Sequence, residues 1–149
     1  MKNTIYTLAL LVCFNSFGQE SYDDYMKRGK KKLRELIANP IADDENDLEK
    51  IYLVEDKIIA AINDFTLAIK INPTHYSGYF HRALTHCLTH SHSRYYGLAR
   101  PWGGELAGQL DMIKSYRLAE GDDKRFVLDK IANRGGYCHF WEYYNPSSN

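Results

Sequence analysis

Five of the six histidines fall between His75 and His92. His86 and His90 stand at i, i+4, which on a helix turns both imidazoles to one side, the spacing a metal pair needs. Cys87 and His92 lie close enough in sequence to complete a zinc or copper site. A zinc-protease reading fails, because Cys87 follows His86 and no general-base Glu lies between the histidines. The same residues also read as architecture. Tyr79, Ala83, His86 and His90 continue one helix face, where a hydrogen-bonded interior histidine is natural, so both readings stay open. The second unusual segment is Ser93 to Glu105, SRYYGLARPWGGE. Its Arg94, Tyr95, Tyr96, Arg100 and Trp102 are residue types enriched in interface hot spots, and its glycines permit tight turns. Either this loop contacts a partner or its aromatics lid an apolar edge. No Gly-rich phosphate loop occurs, no Ser or Cys nucleophile comes with a base and an orienting group, and no carboxylates are spaced for acid–base work. Neither catalysis nor a cofactor is expected.

The elements that must position these groups belong to one compact domain. The chain has 149 residues, 44% of them apolar and 13% aromatic, enough for a core and too few charges for a disordered chain. Its 19 Lys and Arg balance 19 Asp and Glu, which argues against nucleic acid, whose phosphates call for a basic excess. The basic run Lys27 to Lys32 reads as a solvated helix face, balanced by the acidic residues between Asp43 and Asp56.

MKNTIYTLALLVCFNSFGQE has the parts of a secretory signal peptide: Lys2 at the start, an apolar stretch from Ile5 to Phe14, and small residues around Ser16 to Gly18. The apolar stretch is ten residues, against about 20 needed to cross a bilayer, so no stable membrane span is expected. Val12 ahead of Cys13 disfavours lipidation. Cleavage after Gly18 would leave a periplasmic or secreted protein beginning at Gln19. The Phe17-Gly18-Gln19 junction before an acidic stretch resembles signal-peptide ends of Bacteroidetes-type bacteria. Cys87 and Cys138 would then be the cysteines of the mature chain, in a compartment where disulfides persist. A bridge between them would constrain the unfolded chain by about 3–4 kcal/mol; two buried thiols are the alternative.

After residue 20 the pattern is helical. Leu48, Ile51, Val54, Ile58, Ile62, Phe65 and Ile69 step by three or four, drawing an apolar stripe on a long helix from Asp47 to Asn72-Pro73. No strand is predicted. Self-comparison lays Ile62–Ala68 over Gln109–Ser115 at an offset of 47. A second set recurs as Tyr25-Met26-Lys27-Arg28-Gly29, Tyr79-Phe80-His81-Arg82-Ala83 and Ile131-Ala132-Asn133-Arg134-Gly135. In each, a large residue is followed three positions on by Arg and then by Gly or Ala. Large-then-small spacing lets a second helix approach and seat a bulky knob against a small hole.

This resembles the tetratricopeptide repeat family. In AAINDFTLAIKINP, Ala61, Phe65, Ala68 and Pro73 occupy the family's small, aromatic, small and proline positions, and Tyr79 and Ala83 match the next helix. Phe65 to Arg82 is 17 residues, as a repeat of about 34 residues requires. Gly108, Ser115 and Glu120 replace the Ala, Ala and Pro of the second copy. Arg28 to Phe65 is 37 residues and Arg82 to Met112 is 30, so the extra length falls within repeats, partly in loops at 39–46 and 91–104. The resemblance implies an all-α solenoid of antiparallel helix pairs: repeat 1 about 22–75, repeat 2 about 76–121, and a capping helix about 123–143, possessing a break at Gly135-Gly136. It implies an inner groove lined by Met26, Lys30, Leu33, Phe80, Leu84 and Cys87 that binds a peptide or partner protein, Phe80 and Leu84 being the apolar anchors, unless the closing helix fills it. The carboxylate clamp some members carry is absent. His86 takes a position usually held by Tyr.

Overall fold

The computed structural model describes residues 20–38, 48–96 and 104–133, with side chains described except at 48–52, 88–96, 104–105 and 132–133. These residues form five helices and no strand: α1 (Tyr22–Ala38), α2 (Leu48–Ile71), α3 (Tyr76–Tyr96), α4 (Gly104–Leu118) and α5 (Gly121–Asn133). Local chemistry sets several ends. Ser21 Oγ accepts the Asp24 N–H (3.2 Å) while Asp24 Oδ2 accepts the Ser21 N–H (3.0 Å), a reciprocal capping box that starts α1. Pro73 follows the last residues of α2 and stops it where the stripe predicts. His75 then caps α3, its Nδ1 accepting the Ser77 N–H at 3.2 Å. Gly121 has φ of +51°, a left-handed backbone that reverses the chain between α4 and α5 without a side-chain clash.

Two boundaries differ from the sequence reading. Residues 91–96 are helical rather than loop, because no Gly or Pro interrupts the chain between Gly78 and Gly97. The closing helix starts at Gly121 rather than Asp123. Its expected continuation to Tyr143, the Gly135-Gly136 break, the loop at 39–46 and the signal segment 1–18 lie outside the described residues.

The helices pack as antiparallel neighbours. Between α1 and α2, Arg28 meets Asp64 and Gly29 meets Phe65, with Leu36 clustered on Ile58 and Ile62. Between α3 and α4, Arg82 meets Asp111 while His86 meets Gly108. The α2–α3 joint runs the same way, with Ile69 against Gly78 and Thr66 against Arg82. Thus Ala61–Ala68 and Gly108–Ser115 are equivalent slabs, each seated on the helix before it. Ala61, Ala68 and Ser115 are completely covered, and the Ser115 hydroxyl donates to the Met112 carbonyl (2.8 Å), so serine replaces alanine without an orphaned donor. Met26, Leu33, Ala61, Phe65 and Ala68 form the core of the first pair. Phe80, Ala83, Met112, Val127 and Ile131 belong to that of the second pair and α5, with Leu84 packed against both cores.

Gly29 tests this packing. A Cβ there would lie 2.6 Å from Phe65 Cε1, and the Phe65 ring is wholly buried. Overpacking costs about 1–3 kcal/mol, more than the roughly 0.5–1 kcal/mol that alanine adds to helix propensity. Gly29→Ala is therefore expected to lower the urea midpoint with an unchanged m-value; an increase would place Phe65 elsewhere.

Candidate functional site

The recurring Arg has a structural cause. Arg28 donates from Nη2 to Asp64 Oδ1 at 2.9 Å, and Lys32 bonds the other oxygen of the same carboxylate. In the second pair, Arg82 grips Asp111 with Nε on Oδ2 (2.6 Å) and Nη2 on Oδ1 (2.8 Å). The large residue three positions before each Arg is a tyrosine whose ring faces the guanidinium, Tyr25 at 4.7 Å and Tyr79 at 5.9 Å. Bonding to Asp111 raises the Arg82 pKa against the opposing effect of burial. Its Nη1 also reaches back to Thr66 Oγ1 (3.0 Å), tying the second pair to the first. Of the third recurrence, Ile131 is buried, and Arg134 and Gly135 lie outside the described residues.

Fixing these registers turns one face of α1 and α3 inward. Met26, Lys30, Leu33, Phe80 and Leu84 all line a single groove of about 540 Å³, and Lys27, Arg34, Ile37, His81, Phe126 and Lys130 line it too. Five of the six predicted inner-face positions are brought together; the sixth, Cys87, is packed instead in the core with Phe80, Ala83 and Met112. The α5 helix supplies a wall through Phe126 and Lys130 rather than filling the groove, which the sequence reading missed; their i, i+4 spacing was the available signal. Met26, Leu33 and Phe80 are nearly inaccessible, Phe80 being 3% exposed, so Phe80 is a core residue with one edge at the groove. The accessible apolar surface comes from half-buried Leu84 together with Ile37 (50% exposed) and Phe126 (44%). Phe126 also tilts against Phe80, ring centroids 5.4 Å apart.

The basic run needs correction. Its Arg28 and Lys32 are spent on Asp64 of α2, while the side chains of most of the acidic residues between Asp43 and Asp56 lie outside the described residues. Lys27 and Lys30 face the groove.

His81 sits in the groove wall, its ring against Phe65 and Phe80. Its Nδ1 bonds the Ser77 carbonyl oxygen at 2.7 Å; a carbonyl only accepts, so Nδ1 carries the proton and Nε2 is the acceptor. Burial, helped by Lys30, pushes the His81 pKa down to about 4, against the raising effect of the Ser77 bond.

A second cleft, about 660 Å³, opens between α2 and α4 with Ile59, Ile62, Ala107 and Leu110 as walls and Arg82, Asp111, Thr66 and His86 at its base. His86 is buried here, and desolvation lowers its pKa. Cys87 is disulfide-bonded, which removes it from a thiolate ligand set; its sulfur partner lies outside the described residues, as does Cys138. Among the described residues no three His, Cys, Asp or Glu side chains gather for a metal. The side chains of His90, His92, Tyr95 and Tyr96, and the residues Arg100 and Trp102, are outside the description, although Tyr95 and Tyr96 fall in the last turn of α3. None of the described helices is long and apolar enough to cross a membrane. Comparison with family models, curated proteins and solved structures returns no match.

Because His81 binds its proton less readily when folded, the unfolded chain takes up more protons between pH 6.5 and about 4. Its contribution to stability is present above pH 6.5 and is lost as pH falls through that window, by up to about 3 kcal/mol. Urea unfolding at pH 7 and pH 4 measures this. His81→Gln is expected to flatten part of the slope, leaving the contribution of His86; an unaltered slope would mean that the ring is solvated.

Proposed function

We propose that this chain is an exported protein-interaction module, two tetratricopeptide-like helix pairs with a closing helix, that takes a segment of a partner protein along the groove between α1, α3 and α5. One observation carries the reading. Five of the six positions that the family resemblance assigns to an inner face, Met26, Lys30, Leu33, Phe80 and Leu84, line one continuous groove. Such a recess, apolar at its base and polar at its rim, has the anatomy of a recognition surface. The disulfide at Cys87 supports export, since such bonds persist in oxidising compartments. With residues 1–18 removed, Cys138 is the remaining cysteine that could complete it.

Ile37 and Phe126 make better probes than Phe80, because removing a buried Phe costs about 3–5 kcal/mol and would confuse loss of binding with loss of fold. A photo-crosslinking amino acid placed at Ile37, and separately at the exposed Leu53 on α2, would be irradiated in the native envelope fraction. The expected result is a discrete protein adduct from position 37, absent from position 53 and weakened by Phe126→Ser at unchanged helicity. Equal labelling from both positions would contradict the groove as the binding surface.

A further inference from the structure

The chain as a whole is neutral, with 19 basic and 19 acidic residues, yet its groove is not. Lys27, Lys30 and Arg34 from α1 and Lys130 from α5 stand around it against one carboxylate, Asp23. The division within the basic run is geometric. Arg28 and Lys32, four apart, turn to Asp64 on α2, whereas Lys27, Lys30 and Arg34 follow at i, i+3 and i+7 on the groove side. Among the described residues these last three make no salt bridge. On the opposite wall Lys130 lies over the Phe126 ring (5.3 Å) and 4.0 Å from Asp129. Positive charge therefore flanks both sides of an apolar strip formed by Ile37, Leu84 and Phe126.

We propose that the occupant of this groove is an acidic amphipathic helix of the partner protein, its apolar face on Leu84 and Phe126 and its carboxylates toward Lys27, Lys30 and Arg34 on one side and Lys130 on the other. This rests on the protein-interaction reading and specifies the partner's chemistry. A helix is favoured over an extended strand because the groove walls are themselves helices, whose backbone N–H and C=O groups are bonded internally. They offer no edge for main-chain pairing, so affinity must come from side chains, which a helix presents with its own backbone satisfied. An anionic bilayer fits less well. Met26, Leu33 and Phe80 lie at the base of a recess, 3–4% exposed, where a flat lipid surface does not reach. The complementary charge would act chiefly on association rate and salt dependence, the apolar strip on residence time.

Two fluorescein-labelled synthetic helices of about 18 residues, long enough to be helical when bound, would share one Leu stripe and differ only in carrying Glu or Lys on its flanks. Anisotropy titrations use the full mature chain at low and high salt, with phosphatidylglycerol vesicles as a separate arm. The Glu peptide is expected to bind saturably, roughly tenfold or more tighter than its Lys twin, and to weaken with salt. Lys27→Glu with Lys30→Glu and Arg34→Glu should invert that order at unchanged circular dichroism; the milder Gln set should abolish the preference. If both peptides bind equally and Phe126→Ser weakens both, the acidic partner is overturned while the groove reading stands. If neither binding depends on Phe126, both readings fall. Vesicle binding lost on charge reversal, without peptide binding, overturns the proposal in favour of a membrane surface.

Discussion

A carboxylate taken out of water must be met by a cation with good geometry, and this fold meets that demand twice in the same way. Asp64 and Asp111 are 5% and 8% exposed. Each is bonded by an arginine from the preceding helix, and each arginine lies near a tyrosine three residues earlier on its own helix. Breaking one side of the Arg82–Asp111 pair would leave a buried charge uncompensated, at a cost of about 3–5 kcal/mol. That penalty makes the bond a register pin. A slip of α2 or α4 by one residue would carry the carboxylate away from its cation and lift Phe65 from its seat against Gly29, or Met112 from the core it shares with Ala83. Thr66, bonded to Arg82, carries the constraint from the first pair into the second.

The groove follows from that register. With Arg28 and Arg82 turned to the helix that follows each, Met26, Lys30 and Leu33 on α1 and Phe80 and Leu84 on α3 turn inward together. The same turn separates the basic residues of α1 into those that neutralise Asp64 and those at the groove. Structure and recognition thus draw on one short stretch of sequence, and the closing helix α5 completes the trough with Phe126 and Lys130.

The repeat was legible because knob-and-hole packing leaves a residue-size signature at fixed spacing. Ala61 with Gly108 and Ala68 with Ser115 keep that spacing even where the residue changes, and the inner-face positions followed from the family resemblance that this spacing carries. The purpose of the recurring Arg was not legible: sequence shows that it recurs, but its partner Asp64 lies 36 positions away and Asp111 lies 29 away from theirs, so no common spacing exists. The fate of the basic run was hidden for the same reason: neighbours such as Lys27 and Arg28 fall on different helix faces, and only the packing shows which face meets Asp64. Phe126 and Lys130 were missed because the chain reversal at Gly121 decides where α5 sets down, and a glycine's left-handed backbone leaves no mark on neighbouring residue types. The end of α3 was set too early because the loop-like composition after Ser91 outweighed the absence of any helix breaker before Gly97.

The fold depends most on the equivalence of the two helix pairs, and the Arg82–Asp111 bond is where this is measured most directly. A double-mutant cycle with Arg82→Met, Asp111→Ala and both together, followed by urea unfolding, reports their coupling free energy. A buried, charge-assisted pair predicts single losses whose sum exceeds the double loss by about 2 kcal/mol. Additive losses, with coupling near zero, would mean that the two side chains do not meet and that the shared register of the two pairs is wrong.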